Sequence, residues 1–130
     1  MPILMDQEIE EFFNAYVEAA LWSTINLRTD LNDAEYLDGT NAEVADDTQK
    51  VMRADCDAFL RKRNAQRLID KFANMKCAGH DFWLTRHHHG CGFWDRGEYP
   101  KAVGDLLTKY AQEFKEVDLW LGEDGLIHHD

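Results

Sequence analysis

The run GHDFWLTRHHHGCGFWDRG, residues 79–97, places four aromatic rings, four histidines and a cysteine in nineteen positions. Each Phe or Trp hides about 150–250 Å² of surface when buried, so this segment must face a core that the rest of the chain supplies. Residues 81–86, DFWLTR, have the aromatic and β-branched character of a strand, with Phe82 and Leu84 on one face and Trp83 and Thr85 on the other. Residues 91–95, CGFWD, read as the return strand, with HHHG as the turn and Gly90 free to take a positive φ. On this reading Trp83 and Trp94 are cross-strand neighbours, stacked in the core or lining a groove for a planar ligand.

Other segments supply the covering layer. From Gln7 to Trp22, Ile9, Phe12, Phe13, Tyr16, Val17, Ala20 and Leu21 recur at helical spacing, and acidic residues crowd the first turn, where the helix dipole favours them. Residues 23–44 are rich in Asn, Asp and Thr without a period and predict an irregular surface loop, of a length that tends to carry function. A second helical segment runs from about Asp46 to about Asn74. Its apolar stripe breaks across RKRNAQR, residues 61–67, so the helix is interrupted there or its middle leaves the core. That stretch is a solvated basic face or an anion-binding patch. Pro100 suits the first turn of a third helix, whose apolar face is Val103, Leu106, Leu107, Tyr110, Ala111 and Phe114. The alternating VDLWLG, the turn EDG and the following LIHH predict a second hairpin. The expected fold is therefore α+β: one domain over residues 1–130, in the order ααββαββ, with two β-hairpins forming a small antiparallel sheet against three helices.

Composition limits the partners. The chain of 130 residues carries a net charge of −11, unevenly spread. Residues 1–50 hold twelve Asp/Glu against two Lys/Arg, residues 51–76 three against seven, and residues 77–130 ten against five. Such a balance opposes direct binding to nucleic acid or to anionic membranes, whereas an acidic surface can dock a basic protein or imitate DNA. No apolar run approaches the roughly 20 residues of a membrane span. The N-terminus lacks the features of a secretory signal, and three cysteines without a CxxC pair suit a reducing compartment, so a cytoplasmic location is expected.

The segments GHDFWLTR and HGCGFWDRG resemble the GHDFWLTRNGHGAGFWDRG signature of a family of short, uncharacterised proteins of bacteriophages and related mobile elements. ALWS at 20–23, ADCDAFL at 54–60 and EVDLWLGEDGLI at 116–127 resemble the family's other blocks in the same order. The resemblance implies a setting, an accessory protein acting on host machinery or host defence, and implies no catalytic activity. Where the family pattern has Asn-Gly this chain has His87 and His88, and where it has Ala this chain has Cys91.

These departures bear on the chemistry. His87, His88, His89 and Cys91 are zinc-ligand types, but strand neighbours point to opposite faces, so at most two could meet one ion without help from His80 or Asp81. No HExxH or CxxC accompanies them, and neither a metal nor another cofactor is expected. Cys91 with His89 as its base could share a strand face at i and i+2, but Cys91 stands where the resembling pattern has Ala and free cysteines are commonly buried, so no catalytic residue is assigned. His128 and His129 read as an exposed end. The remaining candidates for ligand or partner binding are Asp81, Trp83, Arg86, His89, Trp94, Asp95 and Arg96. The function expected is non-enzymatic binding of a host protein through an acidic surface, as a defence inhibitor or DNA mimic. The alternative is a small-molecule or nucleotide site framed by Trp83, Trp94, Arg86 and Arg96. In a hairpin, replacing His87 and His88 by Asn-Gly should leave the chain folded and slightly firmer.

Overall fold

A computed structural model describes residues 6–89 and 92–130. Among them are five α-helices: α1 (Asp6–Ser23), α2 (Asp46–Leu60), α3 (Ala65–Phe72), α4 (Met75–Arg86) and α5 (Lys101–Gln112). Short 3₁₀ turns lie at Leu37–Thr40 and Phe93–Asp95, and a two-stranded sheet is formed by β1 (Leu119–Leu121) and β2 (Ile127–His129).

The molecule is thus mainly helical, which corrects the α+β expectation of three helices and four strands. Residues 81–86 are not a strand but the second half of α4, and residues 93–95 are a 3₁₀ turn and not its return strand. Gly90 and Cys91, assigned to the turn and the return strand, lie outside the described residues. The physical reason is that every residue from Asp81 to Arg86 is buried. A helix enclosed on all sides carries no polar stripe, so its 3.6-residue period vanishes and the aromatic content alone suggests a strand.

Local signals for α4 are nonetheless present. Its N-cap, Asn74, accepts a hydrogen bond from the Cys77 amide at 2.9 Å, satisfying one of the free donors of the first turn. At the other end His88 is left-handed, with φ 59°. The His88 and His89 amides donate back to the carbonyls of Thr85 and Leu84, closing the helix as a Schellman motif. An Asn-Gly pair at positions 87 and 88 would fit this helix stop as well as it fits a hairpin, because glycine is the usual residue at the left-handed position.

Helix α4 lies against α1 at short range. A Cβ on Gly79 would stand 2.2 Å from the Phe12 carbonyl oxygen and 2.9 Å from Ala15 Cβ, so only glycine lets the two backbones approach this closely. Around the crossing the rings form a continuous stack: Phe59 lies 4.3 Å from Phe82 and 5.5 Å from Phe93, and Tyr16 packs 5.1 Å from Phe82, centroid to centroid. The 93–95 turn seats on α4 through Thr85, whose hydroxyl accepts from the Phe93 amide at 3.1 Å. Gly92 makes the seat possible, since a Cβ there would fall 2.0 Å from Thr85 Oγ1.

The remaining expectations fare differently. Helices α1 and α5 form where the apolar periodicity places them, and the basic stretch interrupts the second helical segment, leaving α2 and α3 separated by residues 61–64. The last hairpin also forms, in the register Leu119↔His129, Trp120↔His128, Leu121↔Ile127. Its strand β2 extends to the middle of the chain, where Ala45 donates to the Ile127 carbonyl and Ile127 to that of Glu43, both at 2.9 Å. Among the described residues no helix is long and apolar enough to cross a membrane.

Gly79→Ala should lower stability by about 1–3 kcal/mol or more through forced overpacking, whereas Gly97→Ala, whose Cβ would meet nothing within 4 Å, should stay within about 0.5 kcal/mol. Phe93→Ala should cost about 3–5 kcal/mol. Denaturant melts of the three variants check this ordering.

Candidate functional site

Of the seven residues singled out in the sequence, Asp81, Trp83 and Arg86 are buried, His89, Trp94 and Asp95 are exposed, and Arg96 is half-buried. Trp83 is 2% exposed and Arg86 4% exposed. The Trp83 indole donates to Ser23 Oγ at 2.8 Å, and its ring carries the His87 imidazole stacked at 3.7 Å. Arg86 donates to Asp55 Oδ2 at 2.7 Å, to the Tyr16 hydroxyl at 2.9 Å and to the Lys115 carbonyl at 2.6 Å. One guanidinium therefore ties α4 to α1, to α2 and to the segment after α5. Burial pushes the Tyr16 phenol far above its ordinary range, so it stays protonated beside that charge.

Asp81 is 1% exposed and receives a two-pronged contact from Arg96, 2.5 Å from Nε to Oδ2 and 3.0 Å from Nη2 to Oδ1. Burial lifts the Asp81 carboxyl above its usual range, and the Arg96 fork opposes that lift. Arg96 also reaches Glu98 at 3.4 Å. This pair fastens the chain beyond the 93–95 turn to α4, a structural task that occupies both charges. Trp94, by contrast, is 54% exposed, Asp95 is exposed and His89 is exposed. The structure brings Asp81 and Arg96 together, but it does not stack Trp83 on Trp94: one ring is inside the core and the other on the surface. The frame of Trp83, Trp94, Arg86 and Arg96 is accordingly not an open pocket. Of that frame, Trp94 and Arg96 border a shallow cleft of about 260 Å³ with Tyr99 and Lys101, and Arg96 borders one of about 270 Å³ with Asp81 and Glu98.

The histidines have individual roles. His87 Nδ1 lies 2.9 Å from the Trp83 carbonyl, and its Nε2 accepts from the Val117 amide at 2.9 Å, which fits a neutral ring with its hydrogen on Nδ1. Burial holds its pKa below the ordinary 6.5. His128 and His129 are not a free end: His128 contacts the Asp124 carboxylate at 2.9 Å, and His129 Nδ1 lies 2.7 Å from the Thr48 hydroxyl. Among the described residues no three His, Cys, Asp or Glu side chains converge as a metal site would require, and Cys91 lies outside those residues.

Two features escaped the sequence reading. The first is the character of residues 22–38. This segment is irregular as expected, yet it is tightly organised around Asn26, which is buried. Asn26 Nδ2 donates to the Asn32 carbonyl at 2.9 Å and the Ala34 carbonyl at 3.0 Å, while its Oδ1 accepts from the Arg28 amide at 2.9 Å. The fold so pinned holds large apolar side chains outward: Leu27 is 84% exposed and Ile25 57%, with Trp22, Leu31 and Tyr36 also exposed. Ile25 and Tyr36 are paired across an antiparallel bridge, which makes them neighbours on one side. Asp30, Asp33, Glu35 and Asp38 surround them in the sequence and are all exposed. The signal was legible as apolar residues in a segment with no period to bury them. The second is the cavity of about 530 Å³ at the elbow of residues 61–67, a stretch the sequence offers as a solvated basic face or an anion-binding patch, where Arg61, Arg63 and Arg67 are exposed.

No family model, curated protein or solved structure matches the chain.

Arg86→Ala should cost about 3–5 kcal/mol by stranding Asp55 and emptying the network. His88→Gly should raise stability by up to about 1–2 kcal/mol, since glycine removes the left-handed penalty. His87→Asn should lower it by losing the stack on Trp83. The pH dependence of that loss has a definite sign. With a folded pKa below the unfolded value of about 6.5, the neutral ring's contribution is complete above that pH and is lost as pH falls through it and past the folded pKa. The gap in Tm between the parent and His87→Asn should therefore narrow from pH 7.5 to pH 5.

Proposed function

We propose that this chain is an accessory protein of the kind carried by bacteriophages and mobile elements, and that it acts without catalysis by binding a basic host protein. The surface that makes the contact is the 22–38 segment, and the observation that carries the reading is its exposed apolar centre amid carboxylates. Monomeric proteins rarely display large contiguous apolar patches without a use for them, and aromatic and aliphatic anchors inside a charged rim are the anatomy of a protein-binding face. The acidic rim selects the partner's sign. Arg28, the basic residue within the segment, neutralises Asp30 at 2.8 Å and lies 3.7 Å from Glu123, which leaves Asp33, Glu35 and Asp38 as the net acidic charge of the segment.

A basic surface with an apolar cleft is the complementary chemistry. Nucleic-acid-processing and defence factors present basic surfaces to bind phosphates, so an acidic protein seated there would block access as a DNA mimic does. The buried Asp81, Trp83 and Arg86 and the half-buried Arg96 take part only indirectly, by fixing the helices that frame the core.

Leu27→Asp should abolish capture of one specific host protein from a lysate at low salt while leaving Tm within about 1 °C, because an exposed substitution changes stability little. Capture by the parent should weaken steeply between about 50 and 300 mM salt as charges are screened. Absence of any specific partner, or equal capture by Leu27→Asp, would sink the proposal.

A further inference from the structure

In a chain with 25 Asp/Glu and 14 Lys/Arg, an arginine that meets no carboxylate stands out. Arg28, Arg53, Arg86 and Arg96 are each paired with an acid. Arg61, Arg63 and Arg67 are not: among the described residues none of the three forms an ion pair, and all are exposed. They fall within seven residues, on the elbow between α2 and α3, and all three line the cavity of about 530 Å³ there. The fourth cation of the elbow is already committed, because Lys62 Nζ pairs with Glu113 and sits over the Tyr110 and Phe114 rings. The Tyr110 hydroxyl, on α5, donates to the Arg63 carbonyl at 3.0 Å, so the elbow backbone is anchored while its guanidiniums are left to solvent.

We propose that this elbow binds a small organic polyphosphate, with two or more phosphoryl groups held by Arg61, Arg63 and Arg67 and the organic body resting where Leu60 and Ala65 line the cavity. Guanidinium forks match phosphoryl oxygens in pairs, which suits a polyphosphate better than a single carboxylate. The volume lies in the range of about 300–1,000 Å³ usual for small-ligand sites. Size follows from the surroundings. With a screening length of about 8–10 Å, a compact ligand feels mainly the elbow, whereas a nucleic acid or an anionic bilayer would also meet the repulsion of an acidic body. The site is separate from the 22–38 segment and stands or falls independently of it.

Calorimetric titration with inorganic pyrophosphate and with ADP, at about 50 mM salt, tests the assignment. Saturable binding is expected for both, tighter for ADP because of its organic body, weakening as salt rises. Arg63→Gln/Arg67→Gln should lose at least about tenfold in affinity with its Tm retained, as expected for removing charge-assisted hydrogen bonds. On the unmodified chain, pyrophosphate should shield these arginines from a dicarbonyl reagent, read by mass spectrometry, so the test survives a variant that fails to fold. No saturation up to millimolar probe, unchanged affinity in the double variant, or tighter binding to phosphatidylserine vesicles than to ADP would overturn the proposal.

Discussion

Helices α1 and α4 touch backbone to backbone at Gly79, and most of the molecule's order follows from that contact. Where two helices approach this closely, side chains beyond the crossing are forced into a fixed interdigitation, because protein interiors pack like organic crystals and leave no room for adjustment. Phe12 and Tyr16 on α1 then meet Phe82 and Trp83 on α4 at one depth, and Phe59 from α2 completes the stack. The Arg86 guanidinium sits at the edge of this stack. Its three partners come from three different parts of the chain, and each supplies a geometry the others do not duplicate. A charge placed so deep contributes little net stability, but it makes alternative packings of the same rings expensive, since any of them would leave Arg86 or Asp55 alone.

The chemistry-bearing residues of the 79–97 stretch are thereby absorbed into architecture. Asp81 and Arg96 hold the polypeptide after the 93–95 turn, Thr85 receives the Phe93 amide, and Gly92 clears the space between them. A stretch this rich in charged, histidine and aromatic side chains need not encode a reaction. Here it encodes a helix buried on every side together with the turn that covers its end. The groups left to solvent lie elsewhere: the exposed apolar and acidic side chains of residues 22–38, whose backbone the Asn26 network holds, and the unpaired arginines of the elbow.

How far the sequence could be read depended on whether a segment has one buried face or more. Helices α1 and α5 and the β1–β2 hairpin each turn one face to solvent, so period 3.6 or period 2 is written in their residues and their type was legible. Helix α4 has no solvent face from Asp81 to Arg86, and its period was erased; Phe, Trp and Thr then argued for a strand through propensity alone. The Asn74 cap and the helix stop at His88 were the surviving clues, and both are single-residue signals. Among the candidate residues, Arg86 and Trp83 were chosen because charge and aromaticity suit ligands, yet burial, which decides their role, is a property of the whole fold. The interrupted basic stretch was legible as an interruption. Its three unpaired arginines were not, since pairing depends on which carboxylates the fold brings within reach.

Cys56, on α2, is fully buried in the same core, with its thiol pushed well above the ordinary range by burial and by the flanking Asp55 and Asp57. A thiol so placed is chemically silent, because alkylating reagents need both access and the thiolate. Cys77, near the start of α4, is only partly covered. Reaction at Cys56 therefore requires α1, α2 and α4 to part, and its rate counts openings of the whole core and not local fraying. The molecule carries its own clock for unfolding, in a thiol that needs no engineered probe site.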